Sequence, residues 1–287
     1  MLSPARLAVL LAAVMLSGCE HLSLLVANLP ARTAERRGDL SYAPGPRGRF
    51  DAYLPPQAAQ GGAARPLVIF WYGGGFTDGE RTDYRFVGAA LSGAGFVTVL
   101  PDYRLYPQVR FPQFLEDAAR AVVAAHAQAA ALGADGSRIV LMGHSAGAYI
   151  AAMLALNPAY LTRAGGDPRW IVGLVGLSGP YDIDPNTPVL DRIFRDTATP
   201  TQFKPLSYVT PAGPPALLLH GEADTLVSAR QSQALGDALG AAGVRVRVVR
   251  YAGRGHADTV AALSVPARGR APVLSDVLAF LRALGPT

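Results

Sequence analysis

Cysteine is almost missing from this sequence. Among 287 residues there is one, Cys19, so no internal disulfide can close and no cysteine-based metal cluster can form. Lysine is as scarce: Lys204 stands alone, and every other basic side chain is an arginine. The 26 basic and 21 acidic residues leave a formal charge of +5, spread thinly. No basic run with interleaved aromatics stands out, so a nucleic-acid partner is not expected. Charged residues are only 16% of the chain and hydrophobic ones 50%, which excludes disorder and supplies a sizeable core. The histidines include no H-x-x-x-H pair, and neither G-x-x-x-x-G-K-[ST] nor G-x-G-x-x-G occurs. No metal, nucleotide or other cofactor is therefore expected. There is also no apolar run long enough to cross a bilayer comfortably; the longest at the start covers residues 7–16.

That short run has the length of a signal-peptide core, with Arg6 before it and Ser17-Gly18-Cys19 after it. Leu16-Ser17-Gly18-Cys19 resembles the bacterial lipobox, in which the cysteine is lipidated and becomes the mature N-terminus. The resemblance implies a signal peptide over residues 1–18 and a membrane partner reached through Cys19. Several acyl chains on one residue would hold the chain at a membrane, since each buried CH₂ contributes roughly 0.8 kcal/mol. Glu20 follows the cysteine in place of the aspartate that would suggest inner-membrane retention, so the outer membrane of a bacterial envelope is the expected location. Residues 19–37 read as a lipidated tether that keeps Arg32, Arg36 and Arg37 near the lipid surface, and residues 38–287 as one domain.

Within that domain there is no repeat and no dividing linker. Apolar strand-like runs alternate with helical patterns. Phe50-Asp51-Ala52-Tyr53-Leu54 alternates like an early edge strand, while Leu67-Val68-Ile69-Phe70-Trp71 and Phe96-Val97-Thr98-Val99-Leu100 are continuously apolar. An Ala-rich helix is expected over residues 113–132, and Ile139-Val140-Leu141-Met142 is a further strand. Strands follow at 171–177, 216–220 and 244–249, the last alternating as a sheet edge does, and a final helix at 272–284. The alternation predicts an α/β fold, a mostly parallel central sheet wound with helices on both faces. In such sheets reactive groups gather beyond the carboxyl ends of the strands.

The candidates obey that rule. Gly143-His144-Ser145-Ala146-Gly147 lies between a strand and the helix-like Ala148-Tyr149-Ile150-Ala151-Ala152-Met153-Leu154. A serine on such a sharp turn projects above the sheet at a helix N-terminus, where a developing anion is favoured. Tyr72-Gly73-Gly74-Gly75-Phe76 follows another strand, and successive glycines let backbone N–H groups face inward unobstructed. Asp224 follows the strand at 216–220, with Glu222 and Asp182 as competing carboxylates. His256 sits in the glycine-rich Tyr251-Ala252-Gly253-Arg254-Gly255-His256, free to reach over the sheet. His21 lies in the tether and His126 on the Ala-rich helix. His144 is expected to point away from Ser145, and His220 to be a packed strand-end residue. The order Ser145, Asp224, His256 is that of the α/β-hydrolases and favours Asp224 as the acid.

The motifs resemble the hormone-sensitive-lipase-like and feruloyl/acetyl-xylan-esterase-like bacterial esterases of the α/β-hydrolase fold. Tyr72-Gly73-Gly74-Gly75 resembles their HGGG segment, with Tyr72 replacing the usual histidine. Asp102-Tyr103-Arg104-Leu105-Tyr106-Pro107 resembles their D-Y-R-L-x-P segment; Asp102 and Arg104 read as braces of the loop. The resemblance implies cleavage of a small-molecule carboxylic ester: Ser145 as nucleophile, His256 as base, Asp224 as its orienting acid. The N–H groups of Gly74, Gly75 and Ala146 would form the oxyanion hole. The proline-rich segment at about 183–215 reads as a short cap without a long amphipathic lid helix, which points to short acyl groups or small aryl esters. Phe194, Phe203 and Tyr208 remain candidates for a pocket lining. Two other readings use the same residues: an amide or formamide hydrolase, and a surface lipoprotein that binds without catalysis. The sequence assigns no oligomeric state.

Overall fold

The structure, a computed structural model, describes residues 24–285 apart from 57–64, 186, 196 and 198. Cys19 and the expected signal peptide lie outside the described residues. Eight strands alternate with helices: β1 (Arg36–Ser41), β2 (Arg49–Tyr53), β3 (Pro66–Trp71), β4 (Thr98–Pro101), β5 (Asp135–His144), β6 (Ile171–Leu177), β7 (Ala216–Gly221) and β8 (Val246–Tyr251). The helices are α1 (Arg85–Gly93), α2 (Gln113–Leu132), α3 (Ala146–Leu156), α4 (Pro158–Arg163), α5 (Pro188–Phe194), α6 (Arg230–Ala241), α7 (Asp258–Ala261) and α8 (Val273–Ala283).

The strands form one sheet in the order β1-β2-β4-β3-β5-β6-β7-β8, antiparallel at β1/β2 and β2/β4 and parallel from there on. Every residue of β3 is buried. Side chains of a strand alternate between faces, so a strand buried throughout must be covered on both, which is why its run is unbroken in apolarity. The helix after β5 shows the same logic in another period: ten of the eleven residues of α3 are buried, so it carries no polar face. The long α2 ends where Gly133 adopts φ 82°, a left-handed cap that frees the chain to enter β5. Val246 and Val248 flank Arg247 on β8, an edge strand as its alternating pattern suggests.

The N-terminal end departs from the sequence reading. Residues 36 and 37, read as the end of the tether, open β1, which pairs with β2, so the strand at Phe50 is internal rather than an edge. Five of the six residues of β1 are exposed, and no apolar alternation marks it. It is held instead by backbone pairing, by Arg36 on Asp51 (2.7 Å), and by Arg37 donating to the Ala131 carbonyl (3.1 Å). Upstream, Ala27 and Ala31 are buried, and Asn28 donates to Asp83 O (2.7 Å) while accepting from Phe86 N (3.0 Å). The folded domain therefore begins by residue 24, not at 38, and Arg36 and Arg37 are bound to the domain rather than to a flexible arm.

The cap is short. It consists of α5 and two 3₁₀ turns, Pro200–Phe203 and Pro205–Tyr208. Among the described residues no helix is long and apolar enough to cross a membrane.

Candidate active site

Three strand ends set the site. His144 pairs with Leu177, Leu177 with Leu219, and Gly221 with Tyr251, so β5, β6, β7 and β8 leave the sheet together. The segments that follow carry Ser145, Asp224 and His256 to one place. The Ser145 hydroxyl donates to His256 Nε2 at 2.8 Å, and His256 Nδ1 donates to Asp224 Oδ2 at 2.8 Å.

Ser145 adopts φ 54° and ψ −122°, a left-handed backbone that costs a β-carbon-bearing residue about 1–3 kcal/mol. The surroundings enforce it. Ser145 N donates to Leu177 O (2.9 Å), and its own carbonyl starts α3 by accepting from Tyr149 N (3.1 Å). Gly147 makes the turn possible: a β-carbon there would lie 2.0 Å from the Trp71 carbonyl oxygen. Gly143 has no more room: a β-carbon there would lie 2.2 Å from the Gly147 carbonyl oxygen.

The glycine loop abuts this turn. A β-carbon on Gly73 would come within 3.0 Å of both Ser145 Cβ and His144 Nδ1. The next three residues have positive φ: Gly74 at 117°, Gly75 at 59° and Phe76 at 66°. Gly74 O accepts from Thr77 N and Asp78 N, both at 3.0 Å, which closes the loop on itself. Among the described residues no protein acceptor takes the N–H groups of Gly74, Gly75 or Ala146. Three donors beside the Ser145 hydroxyl can hold an oxyanion as it forms.

Tyr72, standing where the resemblance led us to look for histidine, supports the loop from beneath. It is buried and stacks on Tyr103 (centroids 4.8 Å) and Tyr84 (5.8 Å). Its hydroxyl donates to Asp102 Oδ1 at 3.1 Å and accepts from Arg47 at 3.0 Å, while Tyr103 OH donates to Tyr72 O at 3.1 Å. Burial, then the neighbouring Tyr103 and Asp102, push the Tyr72 hydroxyl well above its ordinary range, so it stays a donor. Asp102 also takes the Arg81 N–H (2.8 Å) and the Arg81 guanidinium, which reaches Asp51 (3.1 Å) and Asp39 as well. Arg104 clamps Asp117 through Nε (2.8 Å) and a terminal nitrogen (2.7 Å). Asp102 and Arg104 are braces, as their place in the sequence suggests.

Asp224 is the carboxylate that reaches the imidazole. Glu222 points to Arg250 (3.5 Å) and Asp182 to Lys204 (2.6 Å). The Asp224 side chain is fully buried, and its Oδ1 accepts from Leu226 N (2.9 Å) and Val227 N (2.8 Å). Burial alone would raise its pKa, but bonds from His220, His256 and the Val227 N–H outweigh it and hold the group well below the usual carboxylate range.

Two histidines do more than the sequence suggested. His144 does turn from the serine, but its Nε2 donates to the carbonyl of His256 at 3.1 Å, fixing the base from behind. Burial, and then the nearby His256, lower the His144 pKa to about 3. The same carbonyl receives Thr259 Oγ1 (3.3 Å), which is bonded in turn to Ser178 Oγ (2.9 Å). His220 is packed, yet its Nε2 lies 3.1 Å from Asp224 Oδ2. The spacing His220-Gly221-Glu222-Ala223-Asp224 was the available signal. His126 stacks on Trp170 (3.5 Å) away from the site.

Phe194 and Phe203 do not line an open pocket. Both are buried, in an aromatic cluster with Phe76, Phe111, Phe114 and Tyr149 that joins the cap to the glycine loop. Tyr208 is half-buried and donates to Gln202 O at 3.0 Å.

A family model for the alpha/beta hydrolase fold matches residues 68–259. The chain is 28% identical over 270 residues to isoprenylcysteine alpha-carbonyl methylesterase ICME of Arabidopsis thaliana, covering 86% of this chain and 62% of that one. It is 30% identical over 270 residues to esterase LipQ of Mycobacterium tuberculosis, covering 87% and 63%. The chain thus spans under two thirds of the length of these relatives. In three dimensions it superposes on the apo form of Thermogutta terrifontis esterase 2 with a TM-score of 0.72 at 22% identity, covering 90% of this chain and 98% of that one.

Proposed function

The chain belongs to the alpha/beta hydrolase fold family, and from that premise we propose that it is a carboxylic ester hydrolase acting through an acyl-enzyme on Ser145. The observation that carries this reading is the unbroken line from Ser145 Oγ to His256 Nε2 and from His256 Nδ1 to Asp224, each step 2.8 Å, with the glycine loop against the serine. Ester cleavage is the chemistry common to the names of the plant and mycobacterial relatives.

In the proposed reaction Ser145 Oγ attacks the ester carbonyl carbon as its proton passes to His256 Nε2. The carbonyl oxygen becomes an oxyanion held by the N–H groups of Gly74, Gly75 and Ala146. One such donor is worth about 2.7–4 kcal/mol in comparable sites. Asp224 keeps the imidazole oriented and stabilises the imidazolium. The tetrahedral intermediate collapses as His256 gives its proton to the leaving alcohol. Water, deprotonated by the same imidazole, then releases the acid and restores Ser145.

The preferred substrates are short-acyl or small aryl esters. Phe76 follows the glycine loop, the cap residue Phe194 packs on it and Phe203 packs on Phe194, which fills space a long acyl chain would need. Ser145→Ala is expected to abolish hydrolysis of p-nitrophenyl acetate, and the wild type to prefer acetate and butyrate over decanoate. Full turnover by the alanine variant would contradict the nucleophile, and a preference for decanoate the size limit.

We also propose that Cys19 is the point of lipid attachment and that the domain sits at a bacterial envelope membrane. Leu25, Val26 and Leu29, six to ten residues beyond Cys19, are exposed, and a water-facing apolar turn suits a nearby lipid surface. Mass spectrometry of the mature N-terminus tests this: an acylated Cys19 is expected, and an unmodified one contradicts it.

A further inference from the structure

Asp224 serves two imidazoles. His220, at the end of β7, has its Nε2 3.1 Å from Asp224 Oδ2 and 2.9 Å from the Val227 carbonyl oxygen. Both neighbours only accept, so Nε2 carries a proton. Its Nδ1 lies 2.7 Å from Ser232 Oγ, a hydroxyl able to donate. A neutral ring satisfies all three contacts, and the ring is completely buried. With Leu226 N and Val227 N on Oδ1, and His220 and His256 on Oδ2, all four acceptor positions of the carboxylate are filled.

The network reaches beyond the acid. Ser232 lies in the first turn of α6 beside Gln231, whose side-chain oxygen accepts from Tyr181 N (2.8 Å) and Asp182 N (2.6 Å) and whose amide donates to Asp182 O (3.0 Å). One helical turn therefore holds both the partner of the acid and the first residues of the segment leading to the cap.

A carboxylate oxygen shared by two N–H donors is a weaker base toward either one. Such sharing lessens the preference of Asp224 for a protonated His256 over a neutral one. We propose that His220 is a positioning residue for the acid: it fixes the plane of the Asp224 carboxylate and divides its charge between two imidazoles, which sets the pH at which His256 becomes a free base. The proposal rests on the reading of Ser145, His256 and Asp224 as one catalytic unit.

The groups facing His256 are few. Asp224 and His220 approach from β7 and its loop, and His144 from the end of β5. Asp258, on α7, spends Oδ2 on Gly255 N (2.8 Å) and Oδ1 on Arg270 (3.2 Å). His144, lowered to about 3 by burial, stays uncharged through the working range. His144 therefore adds no charge of its own to the acid-side limb of activity.

The test is the pH profile of kcat/KM for p-nitrophenyl acetate, with the labelling rate by a fluorophosphonate probe as a second readout. Three variants of the full chain are compared: His220→Leu removes the donor, His220→Gln keeps an N–H near the position of Nε2, and Ser232→Ala removes the hydroxyl that polarises the ring. His220→Leu should move the acid-side midpoint up by about half to one pH unit, so that the ratio of the rate at pH 5 to the rate at pH 8 falls about three- to tenfold. His220→Gln should restore the wild-type midpoint. Ser232→Ala should shift it in the same direction by less, and carries the test if the leucine variant does not fold. An unmoved midpoint in folded His220→Leu, or, failing that variant, in Ser232→Ala, would reduce His220 to packing. A shift in His220→Gln as large as in His220→Leu would show that the N–H donor is not the cause. Probe labelling of a Ser145→Ala control would instead overturn the underlying assignment of the nucleophile.

Discussion

The two halves of the site are braced by opposite chemistry. On the acid–base side the supports are uncharged: His220 with Ser232 behind Asp224, and His144 with Thr259 and Ser178 behind His256. On the glycine-loop side they are ions and stacked rings: Arg81 among Asp39, Asp51 and Asp102, with Tyr72 between Tyr84 and Tyr103. The difference follows from what each half must do. The glycine loop is backbone and must only stay in place, so a fixed ionic cluster suffices. His256 gains and loses a proton, and a second permanent charge against it would hold it in one state. Neutral donors fix its geometry while leaving its charge free to change.

Breaking each half should therefore give a different symptom. The largest effect is expected from Asp224→Asn, which loses the charge that steadies the imidazolium and the acceptor that fixes its tautomer. A fall of about 10⁴-fold in kcat is expected, with the melting temperature little changed. Loss of fold and activity together would erase the contrast. Arg81→Met should do the reverse. It leaves buried Asp102 without its cation and buried Asp51 with Arg36 alone, and breaking a buried pair this way costs about 3–5 kcal/mol. Denaturant melts should show that loss, while the activity of the protein that remains folded falls less than tenfold.

A third test uses pH. His144 is buried and neutral, with its pKa lowered to about 3, whereas in the unfolded chain a histidine takes up a proton near pH 6.5. The unfolded state then binds more protons across that interval, so stability is complete above pH 6.5 and declines as the pH falls toward 3. His144→Gln keeps a donor for the His256 carbonyl but cannot titrate. Its stability should fall less between pH 7 and pH 4, by on the order of 2 kcal/mol. Equal slopes for variant and wild type would contradict the burial argument. The smallest effect is expected for Tyr72→Phe, which removes one hydroxyl from the Asp102 network and keeps the ring stack. About 1 kcal/mol of stability should go, with kcat within a few-fold.

The same contrast explains what could be read from the sequence. β7 and the second half of β5 are apolar because they are buried in the sheet, β8 alternates as an edge strand does, and each is followed by a glycine-rich or polar turn. The serine motif, the glycine loop and the order of the three residues were legible for that reason. β1 was not, because a polar edge strand held by backbone bonds and Arg36–Asp51 leaves no periodic apolar trace. The roles of His144 and His220 were hidden differently. Each bonds to an atom whose position depends on strand register or loop shape: the carbonyl of His256 for one, the turned-back Asp224 for the other. Phe194 and Phe203 looked free to line a pocket because nothing in their sequence reveals that Phe76, itself at φ 66°, packs on Phe194, and Phe194 on Phe203.

Intact-protein mass spectrometry after reaction with a fluorophosphonate ester tests the central claim most directly. One equivalent of adduct is expected, on the peptide containing Ser145, with loss of esterase activity in step and no adduct on Ser145→Ala. Esterase turnover that survives complete modification of Ser145, or an adduct formed on another residue as activity disappears, would contradict the account.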